Sequence, residues 1–397
     1  MIGSLKVYLG CASRLLKSQE GRKLIVAEID KQLYLKAYQG KVDERLKWKA
    51  LTQALGWLDY SQSKMKDAGF GTYYLCRGWT SSYPETSGYI VPTLIRYANA
   101  HNNKEVLAAA HQTLEWLLVI QKPEGGWQSG YVHQNREAVV FNTGQVIRGM
   151  LAGYKQFGDA RFLNAAIKAA DWISSIQHAD GYFNQHVYLN KARVYDSYVV
   201  APMLAIDYEL GENRYRDVAI KQLHWIINSK QNELGWFADC DNTIKRNQKP
   251  IIHTIAYTID GILDCALLLK DPLFFKSAEK PAKKLLELFL TTGKLHGRYD
   301  SSWHGSEAFI TTGGAQLAII WHKLFLHTQD AFYQKGVVEM NNLLTAIQQR
   351  ATHEARDTRG ALFGSFPMWG RYESFGCPNW ATKYFADSLM NEAGFVE

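Results

Sequence analysis

Nine prolines in 397 residues, and no stretch of low complexity, leave little room for disordered tails or long linkers. Lysine and arginine are scattered, so the net charge of +7 forms no basic arm of the kind that tracks nucleic acid. Neither a CxxC pair nor a Cys/His cluster is present, which argues against zinc. The five cysteines (Cys11, Cys76, Cys240, Cys265 and Cys377) are odd in number and far apart, and an unpaired set fits a reducing compartment. No apolar run of 18 residues suggests a membrane span, and the apolar region near the N-terminus is too short for a secretion signal. A cytoplasmic location is expected. Walker and Rossmann glycine loops are missing as well, and no metal or organic cofactor is expected.

What is abundant is aromatic. Twelve Trp and 22 Tyr exceed the needs of turns and surfaces, and such rings serve both cores and stacking clefts. They also repeat. The segments "LEWLLVIQKPEGGW" (114–127), "ADWISSIQHADGYF" (170–183) and "LHWIINSKQNELGWF" (223–237) each end an amphipathic helix with Trp, Gln, a glycine turn and an aromatic. Trp57 begins the series at similar spacing, and 285–299 and 342–366 continue it more loosely, giving six units.

Between these turns lies a second kind of helix, apolar around most of its circumference and rich in Gly and Ala, as buried helices are. The pattern predicts inner helices near 84–100, 141–157, 195–210, 253–269, 311–327 and 378–391, with more polar partners outside. Six such hairpins describe an all-α, (α/α)6 toroid over residues 45–397, preceded by a helical extension at 1–44. An open solenoid of helix pairs is the rival arrangement.

Two segments, "RGWTSSYPETSGYIVPTL" (77–94) and "GSFPMWGRYESFGCPNWATKYFADSL" (364–389), carry a resemblance. With them the chain resembles the six-hairpin glycosidase-like superfamily, and within it the proteins of bacterial polysaccharide-biosynthesis clusters often described as prenyltransferase-like. The resemblance implies the toroid and a carbohydrate context. The turn "QKPEGGW" is also similar to the Gln-Trp repeat of triterpene cyclases, and "DCDN" (239–242) to their Asp-rich acid motif, less one acidic residue.

In a toroid the N-termini of the inner helices meet at one electropositive mouth. Glu85, Asp196 and His253 stand at three of those starts and are the candidate acid/base groups. Each has a plainer role available: a carboxylate complementing the helix dipole, an N-cap, and a hydrogen-bonded structural histidine. Amides and hydroxyls that could take sugar hydroxyls are Asn142, Gln145, Asn379, Tyr83, Tyr89, Tyr198 and Tyr257. Trp79, Trp127, Trp369 and Trp380 are candidate stacking platforms, whereas the repeating Trp116, Trp172 and Trp225 read as outer-helix packing. Arg77, Arg371 and Lys383 are candidates for holding an acidic sugar.

The inventory favours a carbohydrate-active enzyme of bacterial surface polysaccharide metabolism that works by carboxylate chemistry, either hydrolysis or lyase- or epimerase-type proton abstraction. Its partner would be a glycan or sugar-containing small molecule. The alternatives are an isoprenoid-processing enzyme of the terpenoid-cyclase toroid class, and a glycan-binding protein without catalysis.

Overall fold

In a computed structural model of the protein, residues 2–37, 42–349 and 356–395 are described. Two helices, α1 (Ile2–Lys17) and α2 (Gln19–Ala37), precede six helical pairs. The pairs are α3 (Glu44–Ser63) with α4 (Pro84–His101), α5 (Lys104–Val119) with α6 (Val140–Phe157), and α7 (Ala160–Ser175) with α8 (Ser197–Leu210). They continue as α9 (Arg216–Ser229) with α10 (Ile252–Leu269), α11 (Pro272–Thr292) with α12 (Thr311–Thr328), and α13 (Ala331–Ile347) with α14 (Asn379–Glu392). The second member of each pair is an inner helix, and each begins within two residues of its predicted start. Helix α14 packs on both α3 and α4, so the first and last pairs touch and the ring is closed.

Capping separates the two kinds of helix. Asp43, Asn103, Asp159, Asp271 and Asp330 accept main-chain N–H bonds at the starts of outer helices. None of the inner helices has a side-chain cap. The polar side chains at their starts are therefore left for other work.

The repeating glutamine is explained by what it bonds. Gln121 donates to the Gly125 carbonyl of its own turn and to Ala165 of the next outer helix. Gln177 does the same with Gly181 and Val218, and Gln231 with Gly235 and Ser277. Each amide thus staples one glycine turn to the following unit. The glycines of the inner helices have a different purpose: a Cβ at Gly149 would stand 2.3 Å from the Gly88 carbonyl oxygen, and one at Gly261 2.3 Å from the Ser197 backbone. Neighbouring inner helices close on one another only where side chains vanish.

The strands are two residues long. They are β1 (Tyr73–Tyr74), β2 (Gly78–Trp79), β3 (Arg298–Tyr299), β4 (Gly305–Ser306), β5 (Phe309–Ile310), β6 (Ser365–Phe366) and β7 (Gly376–Cys377). Tyr73 pairs antiparallel with Trp79 on one side and Cys377 on the other, which ties the first unit to the last on the mouth face.

Two expectations are corrected. Cys11 and Cys76 are joined by a disulfide that fastens α1 to the loop after β1, while Cys240, Cys265 and Cys377 are free and buried. The inference of a reducing compartment from unpaired cysteines therefore loses its premise. Helix α10 is also long and apolar enough to cross a membrane by length and composition, but it is largely buried inside the ring as one of the inner helices.

Candidate active site

Glu85 is the second residue of α4, after Pro84, and 8% of it is exposed. A helix N-terminus favours a carboxylate, and so does the hydroxyl of Tyr83, which hydrogen-bonds to it. Burial opposes both and wins, raising the Glu85 carboxyl to about 7. The charge of Glu85 is felt by Tyr83, Tyr89, Tyr195, Tyr257 and Tyr372, which come from four different elements around the mouth. The pit is walled by phenols.

Its floor is a layer of tyrosines. Tyr89 packs on Tyr384 with ring centroids 5.5 Å apart, Tyr198 on Tyr257 at 4.8 Å, and Tyr257 on Tyr384 at 6.1 Å. Below them, deeper along the inner helices, lies a largely buried network of charges, with Asp260 enclosed and Arg148, Asp264 and Lys323 partly open. Arg148 sits 3.8 Å from the Tyr198 ring and 3.4 Å from Asp264, and Lys323 bridges Asp260 at 2.7 Å and Asp264 at 2.5 Å. Burial alone would raise the Asp264 carboxyl, but Lys323 and Arg148 hold it below its ordinary value.

His253 starts α10 and lies against Tyr257 and Tyr372, at 4.4 and 5.7 Å between ring centroids. Its Nδ1 is 2.7 Å from Gln316 Oε1, and burial lowers its pKa to about 4. At neutral pH it is a neutral ring oriented by Gln316, so it offers no positive charge to a uronate or phosphate. Trp380 reaches the same wall, with its indole N–H donating to the Tyr372 hydroxyl at 2.9 Å.

A second carboxyl, Glu373, missed in the sequence, lies on the loop between β6 and β7. Glu373 accepts from the Tyr74 hydroxyl and feels the charge of Arg77, whose guanidinium lies 3.9 Å from the Tyr74 ring. Burial nonetheless raises its pKa. The side chain is partly exposed, and its backbone is left-handed at φ 46°. Such strain in a non-glycine residue concentrates at functional sites. Tyr372 senses both Glu373 and Glu85, and Tyr131 links the two sides by packing on Tyr83 at 5.9 Å while feeling Glu373.

Residues 43–286 match the model of the beta-L-arabinofuranosidase, GH127 catalytic domain. The chain belongs to that family. Its fold is shared with solved unsaturated glucuronyl hydrolases. One specific for heparin has TM-score 0.68 and 13% identity, over 88% of this chain and 98% of that one. The enzyme from Bacillus sp. GL1 has TM-score 0.68 and 13% identity, over 87% and 96%. That from Streptococcus agalactiae has TM-score 0.67 and 14% identity, over 92% and 96%. No curated protein matches the sequence. The protein is thus a glycoside hydrolase-like, carbohydrate-active member of the six-hairpin superfamily, and its substrate is a glycan; the prenyltransferase-like description is not what these relatives carry. The GH127 match contains Glu85, Asp196 and His253, whereas Tyr372, Glu373 and Trp380 lie beyond it.

The remaining predicted site residues of this GH127 member divide sharply. Asn142 stays near the pit, hydrogen-bonding Tyr83 and donating to the Gln128 carbonyl at 2.9 Å, so it orients the phenol that contacts Glu85. Asp196 makes no cap bond, which removes the N-cap reading. Burial raises it to about 8, opposed by the charge of Arg193. Trp127 is fully buried with its indole N–H on the Leu117 carbonyl, and Gln145 is buried within the helix wall, so both are structural. Trp79 stacks on Trp57 of α3 at 5.7 Å and donates to Asp357, away from the pit. Asn379 holds the Gly71 carbonyl, and Trp369 packs on the core. Arg371 is 71% exposed, 3.3 Å from Glu307. Lys383 pairs with Asp387 at 2.7 Å and lies 4.1 Å from the Tyr384 ring, in the floor rather than the opening.

The Asp-rich segment is also accounted for. Asp241 is buried against Arg298 at 2.7 Å and accepts the Ile251 N–H before α10; Asp239 binds Lys230 at 2.7 Å and Asn247 at 2.9 Å. Both are held by cations and amides, not poised over a pit as a cyclase acid. Among the described residues no group of three or more His, Cys, Asp or Glu side chains converges as a metal site would require.

Proposed function

We propose that the protein hydrolyses the terminal glycosidic bond of a glycan at the phenol-walled pit, with Glu85 as proton donor and Glu373 as its partner. The observation that carries this is the Glu85 carboxyl, held by burial at about 7 at the open ends of the inner helices. A proton donor works best when its pKa lies near the working pH. Glu85 gives its proton to the leaving oxygen as the anomeric C–O bond breaks. Water supplies the new C–O bond and passes a proton to Glu373, whose ionised form Tyr74 and Arg77 favour. Hydroxyls of the wall take sugar hydroxyls, and Trp380 is the available stacking face.

The family name supports a β-L-arabinofuranoside as the sugar removed, and a S. agalactiae unsaturated glucuronyl hydrolase complexed with dGlcA-GalNAc6S supports a terminal unsaturated uronate. The setting in surface polysaccharide metabolism belongs to this proposal and rests on the resemblance of the two motif segments. The test is sugar release from an aryl β-L-arabinofuranoside and from an unsaturated glucuronyl disaccharide by wild type and Glu85→Gln. Release by wild type that collapses in the variant is expected. Equal release by both would overturn the assignment of Glu85, and saturable binding of both substrates without release would leave a glycan-binding protein.

A further inference from the structure

On the mouth face, outboard of the pit, a groove of about 550 Å³ runs between the loop after α7 and the loop after α9. That volume falls within the range of small-molecule sites, roughly 300–1,000 Å³. One wall is aromatic: Tyr182 and Trp225 face each other at 5.3 Å with ring planes 49° apart, and both are partly exposed. Trp225 packs against the core, as its place in the outer-helix repeat predicts, and leaves part of its ring open to the groove. Two part-open rings set at an angle suit the apolar face of a pyranose.

The other wall is cationic. Lys191 is exposed at the rim. Lys230 lies 5.3 Å from the Trp225 ring and is matched by Asp239. Arg193 is the telling residue, because it lines the groove while only 3% of it is exposed. Its Nε donates to the Asp241 carbonyl at 3.1 Å and its Nη1 to the Ala192 carbonyl at 2.9 Å, but Nη2 has no partner. Among the described residues it makes no ion pair. A buried guanidinium with an unused pair of N–H groups carries a desolvation cost that an incoming oxyanion would remove. Asn247 adds an unpartnered buried oxygen, an acceptor for a hydroxyl. The rim at Leu189 and Asn190 is left-handed, at φ 57° and 49°, a strained shape that places Tyr188 and Leu189 in solvent beside the opening.

We propose that this groove is a second sugar-binding site, which takes a pyranose bearing a carboxylate. The ring rests on Tyr182 and Trp225, and the carboxylate lies between Arg193 Nη2 and Lys191. The inference rests on the reading of the protein as glycan-acting and names a further part of that glycan: an acidic residue some distance from the bond at Glu85. Arg193 also acts on the carboxyl of Asp196 at the start of α8, which places the groove directly outside the third inner helix.

The test uses Glu85→Gln protein, so that no turnover confuses binding, and calorimetric titration with tetragalacturonate, maltotetraose and inorganic sulfate. Tetragalacturonate is expected to bind and maltotetraose to bind at least tenfold more weakly. Lys191→Glu, at an exposed position, and Trp225→Ala, at a ring that also packs on the core and whose fold is checked by thermal melting, each weaken tetragalacturonate tenfold or more, whereas Trp380→Ala in the pit does not. The proposal is overturned if tetragalacturonate does not bind, or if neither groove variant changes its affinity. Loss in Trp380→Ala alone would place the sugar in the pit, and equal binding of sulfate would mean an adventitious anion. Each of these results is independent of whether Glu85→Gln abolishes sugar release, which judges the proposed reaction separately.

Discussion

The side-chain amide of Gln348, at the end of α13, donates to the carbonyl of Ala50 in α3 at 2.9 Å and to that of Gly360 at 2.8 Å. It makes the same two bonds as Gln121, Gln177 and Gln231, but it joins the last unit to the first. The seam of the ring is therefore built from the ordinary repeat contact. Gln348 is fully buried, so Gln348→Ala strands the Gly360 carbonyl and takes the second bond from the Ala50 carbonyl, which keeps its partner within α3. A loss of roughly 1–3 kcal/mol is expected in denaturant unfolding, the cost of one buried unsatisfied group. Gln121→Ala, at an interior seam, should cost a similar amount. A negligible change in the Gln348 variant would mean that the seam is held by helix packing alone.

The ring was legible in the sequence because its physics is local and repeated. A helix apolar all round must be inner, and a Trp-Gln-Gly turn must be a staple once it recurs. The site was only half legible. Glu85 stood out because a carboxylate beside Pro84 and three aromatics is unusual at a helix start. Glu373 did not, because it lies on an irregular loop whose proximity to Tyr74 depends on closure between the two ends of the chain. Trp79 and Trp127 misled for the converse reason: nothing in a tryptophan's sequence context tells whether its N–H finds a sugar or the Leu117 carbonyl. The Cys11–Cys76 pairing is likewise a contact across 65 residues that spacing does not announce.

The two tryptophans of the first and last units are expected to behave differently. Trp380, hydrogen-bonded to Tyr372 at the wall of the pit, should lose glycan affinity on change to Ala by roughly 1 kcal/mol, the scale of an aromatic contact beyond area burial. Trp79→Ala should instead lower the melting temperature, since it removes the stack on Trp57 and the bond to Asp357, and leave affinity unchanged. Calorimetry and thermal melts on both variants separate the two roles.

The charge network beneath the floor gives a stability prediction. Lys323 is the shared cation of Asp260, which is buried, and of Asp264, which is partly exposed. Lys323→Met leaves two acids facing each other with Arg148 as the remaining cation. Breaking a fully buried pair costs about 3–5 kcal/mol, and with Arg148 still beside Asp264 and both partly open a loss of about 2 kcal/mol is expected. Chemical denaturation at pH 7 should show that loss, and lowering the pH should recover part of it as a carboxyl takes up a proton.

Burial raises Glu85 from 4.5 to about 7 and Asp196 from 3.8 to about 8. A folded-state pKa above the unfolded value means that the folded protein holds a proton the unfolded chain has released. The stabilising contribution is therefore complete below pH about 4 and is lost as pH rises through 7 and 8. For Glu85 the loss is on the order of 3 kcal/mol, at roughly 1.4 kcal/mol per pKa unit. Glu85→Gln and Asp196→Asn should each match wild type in stability at pH 4 and exceed it at pH 9. Melting curves across that range check the sign, and a variant less stable than wild type at pH 9 would refute the burial argument.

The same substitutions separate chemistry from fold. On a substrate that wild type cleaves, Glu85→Gln should lower kcat by on the order of a hundredfold or more, the usual worth of a placed proton donor. Its wild-type rate should fall above pH about 7, where Glu85 has lost the proton it must give. Glu373→Gln should also lose most of its turnover, because Gln keeps the shape but takes no proton from water. Asp196→Asn is the contrast: its carboxyl is raised even more than that of Glu85, and the charge acting on it is that of Arg193. It should keep kcat within a few-fold of wild type while gaining stability at high pH. If Asp196→Asn proves as inactive as Glu85→Gln, and Glu373→Gln remains active, the partner carboxyl is Asp196 after all and the substrate must reach behind Tyr195 to meet it.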